Sequence, residues 1–340
     1  MDPKLHQTIL PSSFKLIPFI LVAVFLLSTP SSSQLSSDFY LFSCPNVERF
    51  VRNTVESASA LDSTIPGKLL RLLFHDCLVE VLTVSPHTVC SGCDASVLIQ
   101  GKGTERSDPA NESLGGFYVV DSAKELLEDL CPGTVSCADI LVLAARDAVE
   151  LVIEVPLGRR DGLVSSASNV RPNMVDTSFS VDELAQSFTS KGLSMDDLVV
   201  LSGNPHGLIR LTSTAFERFQ QSSNGTMVPV DASLEKGYAK QLAEMCRAGA
   251  SSTTTVDNDP STPSLFDNEY YVNLLANRGL LHSDSVLVTD ARTRSAVEAF
   301  SESQDAFFMS WGESFVKLST IGVKTGDEGE IRFSCSSVNG

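Results

Sequence analysis

Arg71-Leu72-Leu73-Phe74-His75-Asp76-Cys77 places a cation and a base one helical turn apart, followed at once by a carboxylate and a cysteine. On a helix Arg71 and His75 stand at i and i+4 and share one face. A neutral imidazole beside a fixed guanidinium takes up a proton and stabilises the negative charge that this exposes. The pair alone also fits a satisfied surface cluster, so its surroundings decide its meaning.

Helical periodicity dominates on both sides of this stretch. Val47, Phe50, Val51, Thr54 and Val55 form one apolar stripe, and Leu69, Leu70 and Leu73 another. Ser180-Val-Asp-Glu183 reads as a capping box opening a helix that Gly192 closes. Residues 140–149 and 194–201 read as helices, as do 268–278, closed by Gly279, and two segments between 290 and 320. Strand signals are few and short. No internal repeat occurs, and 250–255 is the only Ser/Thr-rich linker. The pattern predicts an all-α chain, one domain with two helical lobes.

With 340 residues, 42% of them hydrophobic, the chain can bury one large core or two modest ones. Its 25 basic against 42 acidic residues leave a formal charge of −17. No basic stripe exists, which argues against nucleic acid as a partner. Lys4 and Lys15 precede an apolar run over 16–27, and Ser31-Ser32-Ser33 follows. This reads as a secretory signal over 1–33, cut near Ser33/Gln34. The run is short for a bilayer span and nothing later replaces it, so no membrane association is expected. Export makes most of the eight cysteines candidates for disulfides, in a pairing that sequence alone leaves open. Zinc is the competing reading, with Cys90 and Cys93, separated by Ser-Gly, the nearest approach to a ligand pair.

Two acidic loops carry further chemistry. In Gly92-Cys93-Asp94-Ala95-Ser96, Asp94 and Ser96 join Asp76 in offering the hard oxygen donors that calcium takes. Asp259-Pro-Ser-Thr262-Pro-Ser-Leu265-Phe-Asp267 brings two carboxylates and a hydroxyl ahead of a helix. Asp94 and Asp267 read equally as helix caps.

Phe74-His75-Asp76-Cys77, Gly92-Cys-Asp-Ala-Ser96, Thr104-Glu-Arg-Ser, Thr134-Val-Ser-Cys-Ala-Asp-Ile140, Val155-Pro-Leu-Gly-Arg-Arg-Asp161 and Phe266-Asp-Asn268 occur in this order. Together they resemble the secreted plant (class III) haem peroxidases, over essentially all of the chain from Gln34. The resemblance implies haem b between a distal lobe, roughly 34–180, and a proximal lobe, roughly 181–340, with two calcium ions. It implies a monomer in the extracellular space or cell wall that reduces hydrogen peroxide and oxidises phenolic donors by one-electron steps. His75 matches the family's distal base, Arg71 its distal cation, and Asn111 the amide that fixes the imidazole tautomer. Phe74 matches the aromatic at the haem edge and Pro172 a proline at the donor opening. Asp76, Val79, Gly92, Asp94 and Ser96 match the distal calcium ligands, and Glu105 the residue tying that loop. Asp259, Thr262, Leu265 and Asp267 match the proximal calcium set. Asp284 matches the carboxylate behind the proximal histidine. The implied disulfides pair Cys44 with Cys131, Cys77 with Cys93, and Cys137 with Cys335, leaving Cys246 without its partner.

Three departures accompany these matches. Residues 81–91, including Cys90, are inserted between Cys77 and Cys93, inside the loop that wraps the distal calcium. The segment before Val155 is shortened. At 204–212 the family's proximal-histidine motif is disrupted: Asn204-Pro205-His206-Gly207 stands where a small residue and His-Thr are expected. Besides His75, only His87, His206 and His282 remain after the signal, and His206 is assigned to iron, the competing reading being a loop histidine. Intact motifs resume in phase on both sides of each departure, as misplaced exon boundaries would leave them. A catalytically silent calcium- or wall-binding member of the same fold is the alternative function. Asn111-Glu-Ser and Asn224-Gly-Thr are glycosylation sequons, of which the first is expected to be bare because Asn111 supports His75.

Overall fold

Pro66 lies in the first turn of the helix that carries Arg71 and His75, where its missing N–H leaves no hydrogen bond unmade. In the computed structural model the described residues are 35–79, 92–149, 151–203, 208–210, 218–221, 227–229, 231–245 and 255–340. The signal segment, the insertion at 81–91 with His87 and Cys90, His206, the Asn224 sequon and Cys246 lie outside them.

Twelve α-helices occur among the described residues. The first four are α1 (Val47–Leu61), α2 (Ile65–Leu78), α3 (Phe117–Leu130) and α4 (Cys137–Asp147). They are followed by α5 (Val170–Asn173), α6 (Val181–Ser190), α7 (Met195–Ser202) and α8 (Lys236–Met245). The last four are α9 (Glu269–Leu275), α10 (His282–Thr289), α11 (Ala291–Glu302) and α12 (Gln304–Ser319). Among the described residues strand forms two short antiparallel pairs, β1 (Leu208–Arg210) with β4 (Thr255–Asp257), and β2 (Phe219–Gln221) with β3 (Met227–Pro229). The all-α expectation is met.

The α1 stripe buries Val47, Val51, Val55 and Ala58, one per turn, against α3 and α4. Burying each valine contributes about 1.5–3 kcal/mol. Helix α2 is enclosed more fully: Leu69, Leu72, Leu73 and Cys77 are all at or below 1% exposure, between α4 and α12. One apolar cluster runs continuously from Tyr40 to Cys335 through all these helices. A smaller one gathers Leu234, Tyr238, Leu242, Val256 and Leu280.

Helix ends follow local chemistry. Ser180 and Glu183 form both halves of the capping box, and Gly192 closes the turn at φ 78°. Two boundaries depart from the expectation. Helix α4 starts at Cys137 rather than 140, because the Ser136 hydroxyl accepts the N–H of Asp139 at 3.1 Å. Helix α9 ends at Leu275, and Asn277, not Gly279, takes the left-handed conformation (φ 59°). Gly279 serves a different purpose: a β-carbon there would stand 2.8 Å from the β-carbon of Asp284, so only glycine lets this carboxylate pack in.

Three disulfides join Cys44 to Cys131, Cys77 to Cys93 and Cys137 to Cys335. A buried ionic node ties the motif strings together. Asp139 accepts from the Tyr40 hydroxyl (2.8 Å), the Gly158 N–H (2.7 Å) and the Arg159 guanidinium (2.9 Å), while Arg159 also donates to the Ser319 carbonyl (2.8 and 2.9 Å). Both charged side chains are fully buried. Asp139→Ala leaves Arg159 charged and unpaired, and should cost about 3–5 kcal/mol in urea unfolding. A loss below 1 kcal/mol would show the node to be dispensable.

A second node joins α7 to α12. Asp197 caps α7 through Ser194 and accepts from Ser314 (2.6 Å) and Lys317 (2.9 Å). Burial would raise its carboxyl, but these donors outweigh that and hold it at about 2. The depressed value means that the stabilisation is complete above the unfolded carboxylate range, near pH 4, and is lost as pH falls through about 2. Asp197→Asn should therefore lower the melting temperature at pH 6 and converge with the parent toward pH 2. Parallel curves at every pH would contradict it.

Candidate active site

The α2 face bearing Arg71 and His75 opens onto a cavity of about 680 Å3, which places the pair inside the fold rather than on a surface cluster. The walls are largely apolar, with Leu70, Leu73, Phe74, Phe188, Leu198, Trp311 and Phe315 among them. The volume and apolar lining suit a small-molecule or cofactor site.

His75 is buried, and its two ring nitrogens are held differently. Asn111 donates through Nδ2 to the Glu105 carbonyl at 2.9 Å, so its Oδ1 must face His75 Nδ1, 2.7 Å away. That oxygen can only accept, so Nδ1 carries the proton and Nε2 keeps its lone pair. Arg71 Nε donates to Nε2 at 3.3 Å. Burial, then the Arg71 charge, lowers the imidazole pKa to about 3 against the Asn111 hydrogen bond. The arrangement is a neutral base whose Nε2 lone pair accepts from a fixed cation. Asn111 is itself buried, which leaves its sequon inaccessible to a glycan.

Behind Asn111 stands the first acidic cluster. Asp76 clasps the loop after Gly92 by accepting from Ala95 N (2.8 Å) and Val97 N (3.3 Å), and the Ser96 hydroxyl donates to Glu105 Oε2 at 3.0 Å. Asp76, Asp94, Ser96, Glu105 and Val79 are all at or below 1% exposure. Gly162 leaves no room for a β-carbon against Asp94. Lys324 lies 3.4 Å from Asp94 Oδ2. Burial, then repulsion from Asp94, raises Asp76; burial and both neighbouring carboxylates push Glu105 up to about 9. Glu105 Oε1 is buried with no hydrogen-bond partner. Such mutual repulsion and an unanswered oxygen fit a cation. No three His, Cys, Asp or Glu side chains among the described residues are gathered closely enough to hold a metal alone. The donor set that fits is therefore mixed: carboxylates, the Ser96 hydroxyl and backbone carbonyls.

The second acidic loop converges likewise. Thr262 Oγ1 lies 3.1 Å from Asp259 Oδ2 and 3.0 Å from Asp267 Oδ1, and its single proton can serve only one of them. Leu265 has an exposed side chain, which leaves only its backbone to contribute. Both Asp94 and Asp267 also accept backbone N–H groups two residues on, so the capping reading and the ligand reading describe the same side chains.

Asp284 lies on the cavity wall, with Oδ1 accepting from the Tyr270 hydroxyl (2.9 Å) and Oδ2 from Leu281 N (2.7 Å). Burial raises its carboxyl against these donors. Leu198, Leu201 and Ser202 of α7 line the same cavity, while His206 lies outside the described residues. His282 is exposed and does not line the cavity. Pro172 is exposed on α5, beside Arg171, Met174 and Val175, which line the cavity. Sequence reasoning also missed Arg171, Asn258, Tyr270 and Trp311, none of which lies in a motif spaced for chemistry.

A family model described as peroxidase matches residues 51–303. The chain belongs to the plant peroxidase family. This peroxidase is 55% identical over 314 residues to Peroxidase 46 of Arabidopsis thaliana, covering 91% of this chain and 93% of that one. It is 54% identical over 319 residues to Peroxidase 18 of the same plant, covering 92% and 94%. Against Peroxidase 15 of Ipomoea batatas the identity is 38% over 340 residues, covering 96% and 100%. As a peroxidase it is an oxidoreductase of a family that uses haem iron and calcium. No helix of the described residues is long and apolar enough to cross a membrane.

Proposed function

We propose that this peroxidase holds haem b in the cavity between Arg71–His75 and Asp284, reduces hydrogen peroxide there, and oxidises phenolic donors one electron at a time. The observation that carries the reading is the neutral His75, with its Nε2 lone pair turned to Arg71 and its Nδ1 proton committed to Asn111. Haem, when bound, supplies the iron that passes electrons from donor to peroxide. His75 Nε2 takes a proton from hydrogen peroxide and returns it to the oxygen that leaves as water. The Arg71 guanidinium stabilises the negative charge on that oxygen as the O–O bond breaks. Asn111 keeps the tautomer, and Phe74 screens the cavity from α2. Asp284 would hydrogen-bond the imidazole that holds iron, a role assigned to His206. Each turnover consumes one peroxide and two donors and yields two waters and two donor radicals.

Residues 1–33 act as a signal peptide, and 34–340 form one domain whose lobes meet near 180. The exported monomer belongs to the extracellular space or cell wall. Asp76, Val79, Gly92, Asp94 and Ser96 take one calcium, and Asp259, Thr262, Leu265 and Asp267 a second. The deciding experiment reconstitutes the refolded chain with haem and calcium. A Soret band at one haem per chain with peroxide-dependent phenol oxidation supports the reading. A folded chain that refuses haem assigns it to the silent, calcium- or wall-binding alternative.

Calcium removal offers a separate check. A ligand at a thousandfold its dissociation constant stabilises by about 4 kcal/mol. For a domain of this size chelation should then lower the melting temperature by about 10 °C. An unchanged melting curve with chelator would remove calcium from the assignment.

A further inference from the structure

Five tyrosines occur in the chain, all among the described residues, and the surroundings of their hydroxyls set one apart. Tyr270 of α9 is 1% exposed and donates its hydroxyl to Asp284 Oδ1 at 2.9 Å. Asp284 lines the cavity, so a single carboxylate joins this phenol to the space read as the haem site. Tyr271, beside it, is as deeply buried, but its hydroxyl donates to the Val199 and Val200 carbonyls at 3.2 and 3.0 Å. Tyr40 donates to a carboxylate, Asp139, that is already paired with Arg159 at 2.9 Å and is off the cavity wall. The Tyr238 hydroxyl has no partner, and Tyr118 is exposed.

A phenol gives up an electron far more readily when its proton leaves at the same time. Losing the electron alone would create a positive charge in an apolar interior, which is unfavourable. A peptide carbonyl does not take such a proton, and a carboxylate held by a guanidinium is a weaker base for it. The donors to Asp284 among the described residues, the Tyr270 hydroxyl and Leu281 N, are both neutral. Its carboxylate therefore keeps the basicity that Asp139 loses to Arg159. Proton transfer from Tyr270 leaves a neutral acid beside a neutral radical, and no new charge is buried.

We propose that Tyr270 is an internal one-electron donor to haem oxidised by peroxide, its electron passing to the haem and its hydroxyl proton to Asp284 Oδ1 across their hydrogen bond. The inference rests on the haem reading above. The O–H bond of Tyr270 breaks, an O–H bond forms on Asp284, and the haem is reduced by one electron. A phenolic donor later supplies one electron to the tyrosyl radical, Asp284 returns the proton, and the tyrosine is restored. Tyr270 thus draws one oxidising equivalent off the haem while no donor occupies the cavity.

The test uses the full mature chain reconstituted with haem and calcium. It is mixed with equimolar hydrogen peroxide in the absence of a donor, frozen at successive times and read by electron paramagnetic resonance. The parent should give a tyrosyl signal whose hyperfine splitting collapses when the tyrosines are ring-deuterated. Tyr270→Phe, which keeps the ring, should lose that signal, whereas Tyr271→Phe and Trp311→Phe should keep it. The Soret band and the haem-free melting temperature establish that each variant is loaded and folded. In deuterated water the parent signal should form more slowly, because the proton moves with the electron, and this arm needs no variant. A haem-loaded parent without a tyrosyl signal overturns the inference alone. So does a signal that survives Tyr270→Phe, or one that forms equally fast in both waters. A parent chain that takes up no haem overturns the haem reading and this inference together.

Discussion

His75→Ala should lower the rate of peroxide reduction by about 10²–10⁴-fold, the range a positioned general base contributes, while the haem absorption spectrum stays close to that of the parent. The two readouts separate because His75 is proposed to act on peroxide, whereas Phe188, Leu198, Trp311, Phe315 and Asp284, on other elements, form much of the cavity wall. Asn111→Val should lose less, because it leaves the base present but free to adopt the wrong tautomer. Stopped-flow mixing with peroxide measures both. Equal rates for the parent and His75→Ala would remove His75 from the chemistry.

The pH profile gives the same residue a second test. Burial and Arg71 hold its pKa at about 3, so the base is lost only as pH falls through that value. The peroxide step should then be flat from pH 5 to 8. Stability behaves differently, because the unfolded imidazole takes its proton near pH 6.5. Between that value and about 3 the unfolded state binds more protons, so the contribution of this group erodes as pH falls.

Opening the Cys137–Cys335 bridge, by Cys137→Ser with Cys335→Ser, should cost about 5 kcal/mol. The bridge closes a loop with a sequence separation of 198, and loop-closure entropy in the unfolded chain grows with the logarithm of that length. For a domain of this size the melting temperature should fall by about 8 °C. The Cys77–Cys93 bridge, separation 16, should cost about 3 kcal/mol on the same account. Differential scanning calorimetry decides the order. A smaller loss for the long loop would place the stabilisation in native contacts rather than in the unfolded chain.

The helices legible in sequence were those with local start signals. Ser180 and Ser194 announce theirs because a hydroxyl and a carboxylate three residues on satisfy backbone groups within one turn. Helix α10 announced itself poorly. Its start at Leu281 rests on the Asp284 carboxylate reaching back to a backbone N–H, with no capping hydroxyl ahead of it. Helix α3 begins after Gly116, in the left-handed region, and was not expected at all. Arg71, His75 and Asn111 were found because helix period and ordered motifs mark them. Asn258 and Arg171 carry no such mark, and their place on the cavity follows from how separate segments pack.

The chain by itself determined its helical period and the spacing of base, cation and carboxylates, because each depends on residues within a few turns of one another. Tertiary structure alone decided which nitrogen of His75 bears the proton, since Asn111 and Glu105 are brought to it by packing across 36 residues of sequence. It alone set Asn258 and Arg171 among the residues that line the cavity. Directional contacts between distant segments have no period to read, and only the closed core sets them.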